Sequence, residues 1–587
     1  MSRFLNRIIS FRFGWLLLLV FLAIINYISS LAHFRIDLTK EKRYTLGKES
    51  RNLMGNLGED IQIDVFLKGD FPAKFRKLTN SVSEFLQLVK EVDRRHIKIN
   101  FIDPSASIEG TRSTYGDTLV SMGASPINLM AQVKGGESSK LAFPYALISY
   151  KGRQELVTIF SPPPLTTNGE TPEKILNEAE ALLEYQFARA IDKVIAPRKI
   201  GIGYAVGNGE PVDQRTYDLR MSLQNDYELR LVDLQQNPRI PDSVDVLMMV
   251  KPTISFTEDE KFKIDQFVMR GGRLLWFIDA LIAEQDSLAI KPETIAYDRD
   301  LNLTDLLFKY GLRINTDLVM DLQSDVLPFV IGGTADNPQM QFLPFNYYPL
   351  LQPGNSIITR NSGYVTGHFV NSIDSIQVPD LHKETLLVTS PNSRIISTPA
   401  LISLNENRTV PEDEKFKRNA IPVAMLVEGE FSSLYRNRVG KARIDSMAAA
   451  SVAYRDHSAN NRIIVVADGD IVLNDFIFPN GAQGAPEPIP MGWNKFTYTE
   501  SLKNSENANR FIPVANRQFL LSSLEYLVSN PDISKIRNKE IVLRQLNTKK
   551  IAAQKLQWQL INILVPMLLV ILFGWIYQEL RKRKYGI

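Results

Sequence analysis

The chain has 587 residues, 44% of them hydrophobic and 23% charged, with 68 basic against 65 acidic side chains and a net charge of +3. That near-balance excludes the basic field of a nucleic-acid binder, and the length suits roughly two to four domains. The absence of Cys excludes disulfides, Cys-ligated zinc, iron–sulfur clusters and thiol nucleophiles.

Residues 1–12 carry Arg3, Arg7 and Arg12 without an acid, and the next stretch, 13–32 (FGWLLLLVFLAIINYISSLA), has no charge and the length of a membrane helix. Positive charge ahead of the span favours a cytoplasmic N-terminus. Ser30-Leu31-Ala32 resembles a signal-peptide cleavage site, but the apolar run is long for one, so an uncleaved anchor is expected. Residues 33–57 read as a juxtamembrane linker, with Arg35, Arg43 and Tyr44 placed to meet lipid head groups or a partner.

Over 58–165 the pattern runs strand (IQIDVF), helix (72–92), strand (IKINFI), a short helix near 115–122, then INLMAQV and a hairpin of PYALISY and ELVTIF turning at Lys151-Gly152. This order is that of a thioredoxin-like fold. Its redox chemistry needs Cys-x-x-Cys, so the domain is expected to be a binding or spacer module. A Pro-rich break at 161–172 leads into a connecting segment, 166–197, with an amphipathic helix over Glu173–Ile195.

From 198 to 530 near-continuous apolar strands (199–205, 244–250, 272–279) alternate with helices, which predicts a parallel sheet covered on both faces, in a doubly wound, flavodoxin-like layout. PVAMLV (422–427) and RIIVVA (462–467) are placed in the same sheet. Residues 337–355 have no clear period, and 474–500 read as a long loop. The basic segment 531–558 carries Arg537, Lys539, Arg544, Lys549 and Lys550, a stalk or a face for membrane or partner. A second charge-free span, 559–578, precedes a cytoplasmic tail, 579–587, containing Arg581–Lys584. Two spans put both termini on one side and the bulk on the other.

Ligands of open α/β sheets bind at the carboxyl ends of strands. Two places there stand out. Gly207-Asn208-Gly209-Glu210 is either a tight turn or a small-ligand or partner site; it has neither G-x-G-x-x-G spacing nor a phosphate-binding Lys. Asp468 and Asp470 form an Asp-Gly turn or two oxygens of a cation site lacking an identifiable third ligand. Asp456-His457-Ser458 has the residue types of acyl transfer, but neighbours in sequence seldom converge as a triad.

RIDLTKEKRYTL after the first span, FLKGDFP and FIDP, the GNGE turn, PVAMLVEGEFSSLYRNR, VVADGD and INILVPMLLVILFGWIYQELRKRKY together resemble the auxiliary, substrate-binding-like component of the gliding-motility ABC transporter of Bacteroidetes, the GldG family. The resemblance spans about residues 35–585. It implies an inner-membrane subunit with a periplasmic body, working with an ABC-2-type permease and a separate cytoplasmic ATPase. The family's pattern has His at the second position of the turn where this chain has Asn208. The second domain also resembles the class I glutamine-amidotransferase-like superfamily, whose nucleophile is a Cys that this chain lacks. A non-catalytic protein without cofactor or nucleic-acid partner is expected, anchored in a phospholipid bilayer; a free-standing glycan- or peptide-binding module is the alternative.

Overall fold

The computed structural model describes residues 45–528 except 70, 109, 111–112, 123, 134–135, 161–172, 197, 286–287, 289–290, 335–336, 360–361, 405–412, 419, 439, 441–452, 480–483 and 504–513, together with 19–24, 26 and 548–585. The chain divides into two compact units, Tyr44–Lys539 and a second made of Met1–Arg43 with Glu540–Ile587. The architecture is mixed α/β with several sheets.

The first part of the larger unit runs α1 (Lys48–Gly55), β1 (Ile61–Val65), α2 (Ala73–Val92), β2 (Ile97–Phe101), α3 (Tyr115–Ser121), β3 (Ile127–Val133), β4 (Gly136–Ala142), β5 (Tyr145–Tyr150), β6 (Arg153–Thr158) and α4 (Glu173–Ile195). Four of its strands form a sheet in the order β2-β1-β5-β6, with β1 parallel to β2 and antiparallel to β5. Alternation decides which side is core: Ile61, Ile63 and Val65 are fully buried while Gln62 is exposed. INLMAQV does form a strand, but β3 pairs with β4 in a separate two-stranded ribbon.

Helix α4 connects this body to the next. Phe187 and Ile191 are buried in the first core, and Glu184 accepts from the Gly47 amide (2.6 Å) and the Ser50 hydroxyl (2.7 Å) ahead of and within α1. On its other side Arg189 pairs with Glu525 (3.2 Å) and Lys193 bridges Glu155 and Asp226.

The second part continues through β7 (Gly201–Val206), α5 (Tyr217–Gln224), β8 (Glu228–Asp233), β9 (Val246–Val250), α6 (Glu258–Met269), β10 (Arg273–Phe277), β11 (Leu281–Ile282), β12 (Glu293–Asp298), α7 (Thr304–Lys309), β13 (Leu312–Ile314), β14 (Asp317–Asp321), β15 (Ser324–Thr334), β16 (Asn337–Pro353), β17 (Val365–Thr366) and β18 (Ile373–Ser375). It ends with β19 (Leu381–Val388), β20 (Ser393–Ser397), β21 (Ala400–Ser403), β22 (Pro422–Ser432), β23 (His457–Val466), β24 (Phe476–Ile477), β25 (Glu487–Pro488), α8 (Lys495–Lys503) and α9 (Asn516–Val528).

A mixed ten-stranded sheet organises it, in the order β15-β16-β19-β22-β23-β10-β9-β7-β8 with β17 beside β16. The five strands from β23 to β8 are parallel. Numbered by appearance in the chain, they read 2-1-3-4-5. All five residues of β9 are buried, and its side chains divide by parity: Val246, Met248 and Val250 join the core under α5 and α9, while Leu247 and Met249 join the core under α6 and α7. Helix α6 starts on a capping box in which Thr257 and Glu260 satisfy each other's amides.

The stretch 337–355, to which the sequence assigned no element, contains the 17-residue strand β16, paired with β15 through two register shifts. The expected loop 474–500 contains the β24–β25 pair and the start of α8.

Helix α10 (Thr548–Tyr585) belongs to the smaller unit. Within it Gln557–Arg583, 27 residues, is long and apolar enough to cross a membrane. Of the first span, residues 19–24 are helical and exposed; most of it lies outside the described residues.

Candidate functional site

The loops after β7, β9, β10 and β23 leave the same carboxyl edge of the parallel strands. The winding direction reverses between β7 and β9, where β8 lies to one side of β7 and every later parallel strand to the other. Crevices at such reversals are where open parallel sheets bind ligands.

Lys251 is the first residue after β9. It precedes Pro252, which disfavours the right-handed helical region, and it adopts φ +46°, sparsely populated for a residue with a Cβ. Its ammonium is buried against three carboxylates: Asp470 (2.7 Å to both oxygens), Glu284 (3.1 Å) and Asp279 (3.3 Å). Burial opposes the charge, but the fields of Asp470, Asp279 and Glu284 outweigh it and hold the Lys251 pKa well above its ordinary value. Glu284 also pairs with Arg299 (2.8 Å).

Asp468, beneath this layer, accepts from the amides of His368 and Asp470, both at 2.7 Å. Burial and the charges of Asp470 and Asp279 push its pKa well up. Asp279 accepts from the Gly469 amide at 2.5 Å and is also raised by burial, against the pull of Lys251. A side chain at Gly469 would place its Cβ 2.7 Å from that of Lys251, which is why the turn between the two aspartates is glycine. Asp279 is thus the third oxygen that spacing alone could not identify; ligand atoms of Asp279, Asp468 and Asp470 lie within 4.8 Å of one another. Three such carboxylates have the donor chemistry for a hard cation. Here the ammonium of Lys251 supplies the positive charge, which makes the cluster an ion network.

Above it opens a cleft of about 420 Å³, lined among others by Arg215, Lys251, Thr366, His368, Asp470 and Trp493. Asn516 braces its floor, bonding both the amide (3.0 Å) and the carbonyl (2.9 Å) of Thr366 and the carbonyl of Ile471 (2.9 Å). The hydroxyl of Thr366 is buried without a partner among the described residues. His368 stacks on Tyr348 with centroids 4.1 Å apart. Burial and the Lys251 charge lower its pKa to about 4, so the imidazole is neutral near pH 7.

The GNGE turn lies beside this cleft, not among its lining residues. Gly207 and Gly209 take φ +116° and +83°. Asn208 is fully buried: its amide donates to Glu210 (2.8 Å) and its carbonyl accepts from Thr253 (2.8 Å) and Ile254 (2.9 Å). Burial, with the charge of Glu260, raises the Glu210 pKa to about 7. One side-chain oxygen each of Asn208, Glu210 and Glu260 is buried without a hydrogen bond among the described residues.

The structure therefore puts Asp470 in the cleft, Asp468 beneath it and Gly207–Glu210 next to it. Asp456, His457 and Ser458 do not assemble: His457 meets Ser432 (3.1 Å), and the Ser458 hydroxyl accepts from the Phe431 amide (2.9 Å). Lys549 and Lys550 sit in the first turn of α10, while Arg35, Arg43, Tyr44, Arg537, Lys539 and Arg544 lie outside the described residues. Sequence reasoning missed Lys251, Asp279, Glu284 and His368. A signal existed for the first two, since each is the charged residue that ends a buried strand run, in VLMMVK-P and LLWFID.

A family model described as an ABC-type uncharacterized transport system matches residues 199–510, more than half of the chain. The chain belongs to this family of ABC transporter auxiliary components. A domain of unknown function matches residues 40–149. An uncharacterized protein of Borreliella burgdorferi is 22% identical over 459 residues, covering 76% of this chain and 82% of its own. Among solved structures, the mmIFT52 N-terminal domain covers 56% of this chain and 98% of its own at 12% identity and a TM-score of 0.28. The exo-β-1,4-mannosidase Op5Man5 from Opitutaceae bacterium strain TAV5 covers 68% and 46% at 10% identity and a TM-score of 0.17. Scores this low carry no argument about fold.

Proposed function

We propose that this protein is the non-catalytic, membrane-anchored auxiliary subunit of an ABC transporter, acting with an ABC-2-type permease and, through it, with a separate cytoplasmic ATPase. The observation that carries the proposal is the family match over residues 199–510 in a chain that also has the membrane-length helix Gln557–Arg583. The finer assignments belong to the same proposal: the GldG family, a role in gliding motility, two spans with both termini cytoplasmic, and a periplasmic body. The β2-β1-β5-β6 sheet supports a thioredoxin-like reading of the first body, and the parallel order 2-1-3-4-5 supports a flavodoxin-like, amidotransferase-like reading of the second.

Purification of the tagged full chain in mild detergent, followed by mass spectrometry, tests the proposal. A multi-span permease and an ATPase in fixed ratio are expected; their absence would refute it. Orientation has its own test because the chain has no Cys: Gly484→Cys should react with an impermeant maleimide once the outer membrane is opened. Protection until the inner membrane is lysed would reverse the assignment.

A second reading, a small-ligand site in the body, is favoured by one observation. The cleft beside Lys251 contains an unpartnered buried hydroxyl, Thr366, and a neutral imidazole, His368, at the reversal point of the sheet. Ligand retained through purification and released by Thr366→Trp would support it; equal retention by that variant would exclude the cleft.

A further inference from the structure

Helix α10 is uneven around its axis. With 3.6 residues per turn, Lys555, Gln559, Asn562, Pro566, Leu569 and Phe573 fall on one face, at steps of three or four. The opposite face has Gln557 at its start and is apolar beyond it, through Leu564, Leu568, Ile571 and Trp575. These side chains are all exposed. The apolar face suits lipid; the other does not.

Pro566 lies inside the helix and has no N–H, so the carbonyl of Asn562, four residues back, has no helical donor. Asn562 thus brings to one spot a freed main-chain carbonyl, two amide donors and an amide oxygen, one turn from the second amide of Gln559. A side chain can lean toward the membrane surface, but a main-chain carbonyl cannot. Inside hydrocarbon such groups are met by protein, not by lipid.

We infer that α10 docks through its Gln559–Asn562–Pro566 face onto a membrane-spanning helix of the transporter's multi-span subunit. That helix offers a hydrogen-bond donor to the Asn562 carbonyl and an acid opposite Lys555. The inference rests on the transporter-subunit reading above and adds the contact surface to it. A second parallel copy of α10 fits the face poorly, because it would bring two Lys555 ammonium groups and two acceptor carbonyls to the same depth. A partner of complementary charge and hydrogen bonding relieves both.

The test uses the full Cys-free chain co-expressed with the other transporter subunits. Gln559→Cys and Phe573→Cys on one face, and Leu564→Cys and Ile571→Cys on the other, each carry a photoactivatable maleimide in native membranes. The first pair should give adducts with a membrane helix of the multi-span subunit at least fivefold above the second pair. Asn562→Leu should lower the co-purified subunit by roughly three- to tenfold, with Asn562→Gln retaining it. Adducts spread evenly around the helix, concentrated on the Leu564 face, or made to a second copy of this chain would overturn the inference and leave the subunit reading standing. Failure of any multi-span subunit to co-purify with the unmodified chain would overturn both.

Discussion

Two sites at the carboxyl edge of one parallel sheet bury their acids in opposite ways. After β9, β10 and β23, the carboxylates of Asp279, Glu284 and Asp470 surround a lysine, and the resulting charges form the floor of a cleft. After β7, Glu210 makes no ion pair among the described residues; its carboxyl is held by the amide of Asn208 and faces the field of Glu260. The first arrangement fixes charge at neutral pH. The second leaves a group that changes charge near it.

The most damaging way to break this contrast is to turn the paired site into an unpaired one. Lys251→Met removes the cation while leaving three carboxylates around its place, and truncating one side of a buried pair costs about 3–5 kcal/mol. Chemical denaturation of the full chain in detergent should show a loss of that size, with Lys251→Arg recovering part of it. An unchanged midpoint would mean that the network is energetically idle.

The unpaired site depends on backbone geometry instead. Gly209 has φ +83°, and a Cβ there would lie 2.0 Å from the Thr253 hydroxyl. Left-handed strain and overpacking together predict a loss of about 2–4 kcal/mol for Gly209→Ala. Adding Thr253→Ala should return the steric share and leave the strain, a non-additivity that a double-mutant cycle measures. Additive losses would show that the two positions do not touch.

The two sites also differ in how far the sequence reveals them. The GNGE turn is local: glycines at positive φ and a polar pair following a strand are visible in four letters. The Lys251 network joins residues separated by up to 219 positions, and nothing in the spacing of Lys251 and Asp470 indicates that strands β9, β10 and β23 lie side by side. The parallel core itself was legible, because strands buried on both faces, such as VLMMV and RIIVV, read as unbroken apolar runs. β16 was not, since Pro338, Pro344, Pro349 and Pro353 argue against a strand interior while the long pairing with β15 overrides them. His368 gave no signal at all, lying in a loop that only the tertiary fold brings over Asp468.

A pH series sharpens the contrast at Glu210. Its folded pKa, about 7, is above the ordinary carboxyl value of 4.5, so the folded state binds the extra proton between those values. Its contribution is present below pH 4.5 and is lost as pH rises toward 7. Glu210→Gln removes that loss and should gain on the order of 2–3 kcal/mol relative to the parent above pH 7. A parallel pair of stability curves would refute the assignment.

His368 should produce the smaller effect, with the opposite pH dependence, and it separates the two sites in one experiment. Its folded pKa, about 4, is below the ordinary 6.5, so its contribution is present above pH 6.5 and is lost as pH falls toward 4. His368→Phe keeps a ring against Tyr348 and leaves the main-chain amide on Asp468, removing only the titration. Relative to the parent, it should gain on the order of 1–2 kcal/mol between pH 6.5 and 5, with no pH-dependent change above 7. Between pH 4.5 and 6.5 the two slopes oppose each other in the parent. Each single variant therefore steepens the dependence left by the other, and the double variant should be flatter than either. If His368→Phe instead lost stability relative to the parent as pH fell from 6.5 to 5, the imidazole would be charged in the folded state and the assignment of a neutral ring beside Lys251 would fail.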